Sequence, residues 1–197
     1  KLSTKDIEKV QTAKIGKLAD SYVNQLIFLI STIIKHSIKQ DIFKKQNPVQ
    51  NITNLKFDNV RERYLTKNEI HQLFDTIKHD MQLFLFVKLA LSTGGRLNTI
   101  MTIHKKDINL DNNSLSLKDH KNSSSYTGYY DFELKEFLKS YTASMQPNDL
   151  IITYHTAVLQ ERLRPILNNL FNIGLEKDDI KNRVVIHTLR HTFASHL

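Results

Sequence analysis

Between Met81 and Leu91, nine of eleven residues are apolar, and polar residues bound the run on both sides. The run is far shorter than the roughly 20 residues that span a bilayer. It therefore reads as a helix from Met81 to Ser92 that is buried on nearly every side within a packed core. The 197 residues suffice for one domain, or for one domain and part of another. With 40% apolar residues, the chain is neither wholly disordered nor collagen-like. It contains no cysteine, which excludes disulfides, thiolate zinc sites and cysteine nucleophiles. No signal peptide opens it, so a soluble cytoplasmic protein with no membrane partner is expected.

Charge points to a partner. Lys and Arg number 28 against 20 Asp and Glu, a formal charge of +8 and a pI near 9.5. Such an excess favours polyanions, of which nucleic acid is the commonest inside a cell. An AT-rich coding sequence, which enriches Lys, Asn and Ile, produces the same bias without any binding.

Around the central run the periodicity predicts a mainly helical chain with a small antiparallel sheet, an α+β class. A helix is predicted from Asp20 to about Gln40, because Val23, Leu26, Ile27, Ile30, Ile33, Ile34 and Ile38 form one stripe. Asn47-Pro48 ends it. Residues 49–64 are polar and without helical period, and read as a linker between a first unit, 1–48, and a second, 65–197. Thr66 and Glu69 make a capping box, so a helix is expected from Thr66 to about Lys78. Thr93-Gly94-Gly95 breaks the central helix, and a short helix is expected between Arg96 and Ile103. Ile108, Leu110, Leu115 and Leu117 alternate with polar residues around Asp111-Asn112-Asn113, a hairpin pattern. Lys118 to Ser125 reads as a polar loop and Tyr126 to Phe132 as a third strand. Helices are predicted over Glu133–Ser144, over His155–Phe171 with a kink at Pro165, and over His187–Leu197. Val184 to Ile186 is short and β-branched.

Two clusters carry chemistry. In Thr93-Gly94-Gly95-Arg96, an arginine follows a glycine break where backbone can approach a ligand closely. By itself this also fits a helix C-cap followed by a surface arginine. In His187-Thr188-Leu189-Arg190-His191, helical spacing puts His187, Arg190 and His191 on one face above an apolar seam. His187 and His191 have metal-pair spacing, but Thr188 stands where a metalloprotease needs glutamate, and Arg190 between them repels a cation.

Together the clusters resemble the tyrosine recombinase, or phage integrase, family. Its first arginine box matches Thr93-Gly94-Gly95-Arg96 and its H-x-x-R box matches His187-Thr188-Leu189-Arg190. The hairpin occupies the place of the family's small sheet. The helix from Leu65 to Phe74 looks like the start of its catalytic domain, and Asp20–Pro48 is similar to the end of its helical DNA-clamping domain. The resemblance implies the fold of a DNA breaking-rejoining catalytic domain, with 1–48 the last part of the clamp. It also implies site-specific recombination of double-stranded DNA through a 3′-phosphotyrosine. By this resemblance Arg96 and Arg190 clamp the non-bridging phosphate oxygens, and His187 assists proton transfer or binds the phosphate. Lys121, with Lys118 as the alternative, protonates the leaving 5′-oxygen. No metal or nucleotide cofactor is needed.

Lys35, Lys39, Arg61, Arg63, Lys105, Lys106 and Lys118 are candidate DNA-facing residues, although charged residues are more often simply solvated. Thr99 stands where the family has glutamate. The family's nucleophilic tyrosine follows the H-x-x-R helix. Tyr126, Tyr129, Tyr130, Tyr141 and Tyr154 all precede it and match no nucleophile. The expectation is a fragment, truncated at the C-terminus, that does not cleave DNA and is a monomer, from a protein that forms a tetramer on DNA. The alternatives are a non-catalytic, integrase-like DNA-binding protein and a basic helical domain that binds RNA or protein.

Overall fold

The computed structural model describes residues 2–57, 63–119, 124–176 and 179–196. Two compact units divide the chain, Lys1–Asn59 and Val60–Leu197.

The first unit holds α1 (Thr4–Lys14), α2 (Asp20–Lys39) and a 3-10 turn at Pro48–Asn51. Periodicity does not announce α1, whose single buried residue is Ile7. Asp6 marks its start, accepting hydrogen bonds from the Ser3 amide and hydroxyl at 2.9 and 2.7 Å. Ile7, Ile27, Ile34 and Val49 make a small core. The polar stretch read as a linker begins inside this unit. Buried Asn47 donates to the Ser31 hydroxyl at 2.8 Å and accepts from the Val49 amide at 3.0 Å. Further on, the Asn24 amide pairs with both backbone groups of Leu55, each at 2.9 Å. Side-chain amides thus take the place of secondary structure as partners for this backbone.

The second unit is built around α4 (Met81–Thr93), in which Leu83, Leu85, Phe86, Val87, Leu89 and Ala90 are all buried. Two of its polar positions, Gln82 and Lys88, are used as ties. Gln82 donates to the Tyr141 hydroxyl at 2.8 Å and accepts from the Thr153 amide at 2.6 Å. Lys88 bonds Glu133 at 2.7 Å and lies over the Phe74 ring. Around α4 stand α3 (Lys67–Ile77), α5 (Leu97–Met101), α6 (Phe132–Tyr141), α7 (Thr156–Phe171) and α8 (Ile186–Ser195). The capping box at α3 forms: Thr66 Oγ1 accepts from the Glu69 amide at 3.3 Å, and Glu69 accepts from the Thr66 amide at 2.8 Å.

Strands β1 (Ile108–Asn109), β2 (Ser114–Asp119) and β3 (Ser124–Tyr129) form an antiparallel sheet in sequence order. Asn109 Oδ1 shapes the first turn by accepting from the amides of Asp111 and Asn112 at 3.1 and 3.0 Å. Asn113 takes the left-handed conformation there, with φ 49°, which asparagine tolerates. In the β2–β3 register Leu115 pairs with Gly128 and Asp119 with Ser124.

Local expectations change at the sheet and at Pro165. Lys118–Asp119 and Ser124–Ser125, read as parts of a loop, are paired residues at the ends of β2 and β3. Strand β3 stops at Tyr129, because the Tyr130 hydroxyl turns to the Asn109 carbonyl and Asp131 caps α6. Val184 is held by a distant side chain. The side-chain amide of Asn172 takes both its backbone groups, accepting from the Val184 amide at 2.8 Å and donating to its carbonyl at 2.9 Å. Pro165 lies within a continuous α7. Both it and Glu161, one turn back, are exposed, so water meets the carbonyl that proline leaves without a donor. No helix among the described residues is long and apolar enough to cross a membrane.

Candidate phosphate-binding site

Helix α4 ends at Gly94, which takes the left-handed conformation at φ 60° and donates its amide to the Ala90 carbonyl at 3.0 Å. Space as well as conformation requires glycine here, since a Cβ would lie 2.3 Å from the Phe193 ring of α8. The next glycine is also confined: a Cβ on Gly95 would meet Ile100 at 2.8 Å. The chain therefore turns sharply with no side chains in the way, and delivers Arg96 as the N-cap of α5. Thr99, in the middle of α5, is buried.

Helix α8 reaches the same place from the other end of the sequence. Thr188 reaches back to accept from the Val185 amide at 3.0 Å and so shapes its first turn. Buried Thr192 accepts from the Leu65 amide at 2.9 Å, and the His196 ring meets the Leu65 carbonyl at 3.0 Å. These bonds set the height of α8 against the start of the unit. Its Arg190 then donates through Nη1 to the carbonyl of Gly94. The first arginine box thus orients the arginine of the second.

Arg96 and Arg190 line one cavity of about 670 Å³ together with Thr93, Asp119, Tyr126 and Phe193. Arg190 also lines a second cavity, of about 580 Å³, and His187 opens on that one beside Arg164 and Arg183. The His187 and His191 rings touch edge to face with centroids 4.9 Å apart. Among the described residues no group of three or more His, Asp or Glu side chains is placed to hold a metal ion.

Asp119 escaped the sequence reading. Its carboxylate accepts from Arg96 Nη1 at 2.5 Å, and its side chain is only 7% exposed. The signal was present in the alternation: Leu115, Leu117 and Asp119 share the buried face of β2. A carboxylate in that register requires a buried partner. Lys118 is exposed, on the opposite face of the strand from Asp119. Lys121 and Arg61 lie outside the described residues.

The remaining basic candidates are spread out. Lys35 and Lys39 are exposed on α2 of the first unit. Arg63 is paired with Glu69 and with the Tyr64 carbonyl. Burial alone would raise the Glu69 pKa. Hydrogen bonds from Arg63 and Thr66 outweigh that effect and hold the carboxyl below its ordinary 4.5. Lys105 bonds the Met145 carbonyl at 2.6 Å and Lys106 the Asn148 side chain at 2.8 Å. Both ammonium groups brace the turn that follows α6.

Residues 63–197 match the family model described as the phage integrase family. Over 162 residues the chain is 25% identical to tyrosine recombinase XerC of Staphylococcus epidermidis, an alignment that covers 77% of this chain and 53% of the relative. The chain thus spans about half the length of the curated relatives it matches. Its fold is similar to that of lambda integrase residues 75–356, solved as a dimer bound to a COC′ core site. That likeness has a TM-score of 0.76 at 17% identity and covers 98% of this chain and 72% of the other. It is also similar to the Tn1549 transposon integrase in complex with transposon right end DNA. Here the TM-score is 0.78 at 14% identity, covering 100% and 72%.

Proposed function

The chain belongs to the phage integrase family, the tyrosine recombinases, and from that footing we propose that its second unit is the phosphate-clamping part of a site-specific DNA recombinase. The observation that carries this reading is the convergence of Arg96 and Arg190 on one cavity, with Arg190 hydrogen-bonded to the Gly94 carbonyl. A guanidinium is planar, always charged and able to bind two oxygens at once. Two of them facing one cavity suit a phosphodiester whose non-bridging oxygens gather charge as it reacts. Held in place beforehand, they stabilise that charge without reorganising.

In the proposed reaction a tyrosine oxygen attacks phosphorus, the bond to the 5′-oxygen breaks, and a 3′-phosphotyrosine forms. Rejoining reverses the step, so no metal or nucleotide is consumed. His187, at the first turn of α8, binds the phosphate or moves a proton at the nucleophile. Lys121, or Lys118, gives a proton to the leaving 5′-oxygen. No tyrosine of this chain is assigned as the nucleophile, and the 197 residues by themselves are proposed to bind DNA as a monomer without cutting it. In the full-length protein we place four copies on the DNA. Lambda integrase and the Tn1549 integrase were both solved bound to DNA, which supports double-stranded DNA as the partner. Lys35, Lys39, Arg61, Arg63, Lys105 and Lys106 are proposed as backbone contacts that add affinity without sequence preference.

The test is the affinity for duplex DNA measured at rising salt. With about six phosphates neutralised, log affinity falls against log salt with a slope of roughly −5. Arg96→Lys keeps a cation beside Asp119 but loses the fork, and is expected to weaken binding by about tenfold with the melting temperature little changed. A slope near zero, or unchanged affinity in Arg96→Lys, overturns the reading.

A further inference from the structure

Thr99, three residues after Arg96 in α5, is buried and carries no charge. The acidic neighbour of Arg96 comes from the sheet. Asp119, the last paired residue of β2, holds Arg96 Nη1 across 23 positions of sequence. The pair is lopsided: the Arg96 side chain is 38% exposed and that of Asp119 is 7% exposed. Both residues line the cavity that Arg190 also faces.

That asymmetry decides between two roles for the carboxylate. A gate would stand on the solvent side of Arg96, in the place a phosphate must take, and would have to leave when the phosphate arrives. A support would stand on the protein side, where it is shielded from water, and would stay. Asp119 has the burial of a support. A guanidinium carries five N–H donors, so Asp119 can hold one edge of the fork while the exposed edge meets phosphate oxygens. We infer that Asp119 is a positioning residue: it locks the Arg96 fork toward the cavity and remains bonded to it when an anion binds.

Strand pairing fixes Asp119 in turn. Its neighbours on the buried face, Leu115 and Leu117, are fully buried, and the β2–β3 ladder runs through Asp119↔Ser124. The anchor for Arg96 is therefore a paired strand end. A freely rotating arginine would lose several rotors each time it bound a phosphate, and an anchored one loses few of them. Removing the carboxylate has two opposed consequences. It takes away a negative charge, which favours anion binding, and it frees the fork, which disfavours it. The inference states that the second effect is the larger.

This assignment rests on the reading of the cavity as a phosphate site, and the experiment separates the two. The whole chain, labelled with ¹⁵N, is titrated with inorganic phosphate while the Arg96 Nε–H resonance is followed. The resonance is identified by its loss in Arg96→Lys. In the wild type the signal is expected to be sharp and to move on phosphate addition. In Asp119→Asn, which keeps an acceptor oxygen without the charge, the Arg96 signal stays sharp and phosphate affinity is kept or raised. In Asp119→Ala the signal broadens and phosphate affinity falls by about fivefold. In the Arg96→Lys background, Asp119→Ala changes phosphate affinity by less than about twofold, because the carboxylate acts through the fork.

Tighter phosphate binding by Asp119→Ala would make the carboxylate a competitor and overturn the assignment. An equal loss in the Arg96→Lys background would make its role structural, with the same consequence, while the phosphate-site reading stood. A wild-type Arg96 signal that ignores phosphate overturns both. Should Asp119→Ala fail to fold, Asp119→Asn decides: a broadened Arg96 signal with the oxygen acceptor still present refutes the support.

Discussion

Among the described residues of the second unit, two arginines pair with aspartates, and their surroundings give the pairs different uses. At the start of α4, Asp80 is spent entirely on structure. Its Oδ1 accepts from the amides of Gln82 and Leu83, both at 3.1 Å. Its Oδ2 accepts from the Tyr154 hydroxyl at 3.0 Å and from Arg162 at 3.1 Å. Arg162 in turn lies over the Tyr154 ring, 4.9 Å from its centroid. Burial first, and the bond to Asp80 next, raise the pKa of Tyr154, so its hydroxyl stays a donor. Every group in this network has a neighbour within it. At the other end of α4, Arg96 also has an aspartate, but a second arginine faces the same cavity. Asp119 offsets one of the two guanidiniums, which leaves the cavity lining with a net positive charge. A salt bridge alone therefore says little about use. A second charge of the same sign, brought from a distant segment, says more.

Substitutions should widen this contrast. The largest effect is expected at the turn that joins the arginines. Gly94→Ala needs a left-handed alanine and a methyl group inside the Phe193 ring's place, and should destabilise the unit by about 3 kcal/mol in chemical denaturation. Gly174→Ala is its control. That glycine has a similar φ, 81°, with nothing within 4 Å of the added Cβ, so about 1 kcal/mol is expected. Next comes Asp80→Ala, which strips two helix-capping bonds and two side-chain bonds and should cost about 2 kcal/mol. Its affinity for duplex DNA should be unchanged, and a loss of affinity with the fold intact would break the contrast. Arg162→Ala, at a pair whose arginine is 54% exposed, should cost about 1 kcal/mol or less and again spare DNA affinity. Arg96→Lys should show the reverse pattern.

The smallest effect concerns a third pair, Arg63–Glu69. Because the Glu69 pKa is lowered in the folded protein, its contribution to stability is complete above the ordinary carboxylate value. It is lost as pH falls through the lower, folded-state value. Melting temperatures recorded on acidification below pH 4.5 should fall less steeply for Glu69→Gln than for the wild type. Parallel curves would show that the pair adds nothing.

Much of the frame was legible beforehand because its signals are local. The α4 run, the Thr66–Glu69 capping box, the hairpin around Asn112 and the glycine break before Arg96 each depend on neighbours a few residues away. What escaped depends on side chains far along the chain. Asn172 satisfies both backbone groups of Val184 from 12 positions away. Asn24 and Asn47 hold a polar stretch against the first unit. Asp119 is a similar case. Its alternation with Leu115 and Leu117 is written in the sequence, but no local pattern names Arg96 as its partner.

The sequence by itself determined that this chain has a buried central helix, a glycine turn leading into an arginine, and a second arginine one helical turn after His187. Periodicity and backbone conformation follow from chemistry within one or two turns of chain, so they can be read without a fold. Only the tertiary structure decided that the two arginines share a cavity. That outcome rests on the Arg190–Gly94 hydrogen bond across 96 residues, on Phe193 filling the space above Gly94, and on Thr192 holding α8 to Leu65. Such contacts form only when the core packs, because it is packing that brings the two distant segments into reach of each other.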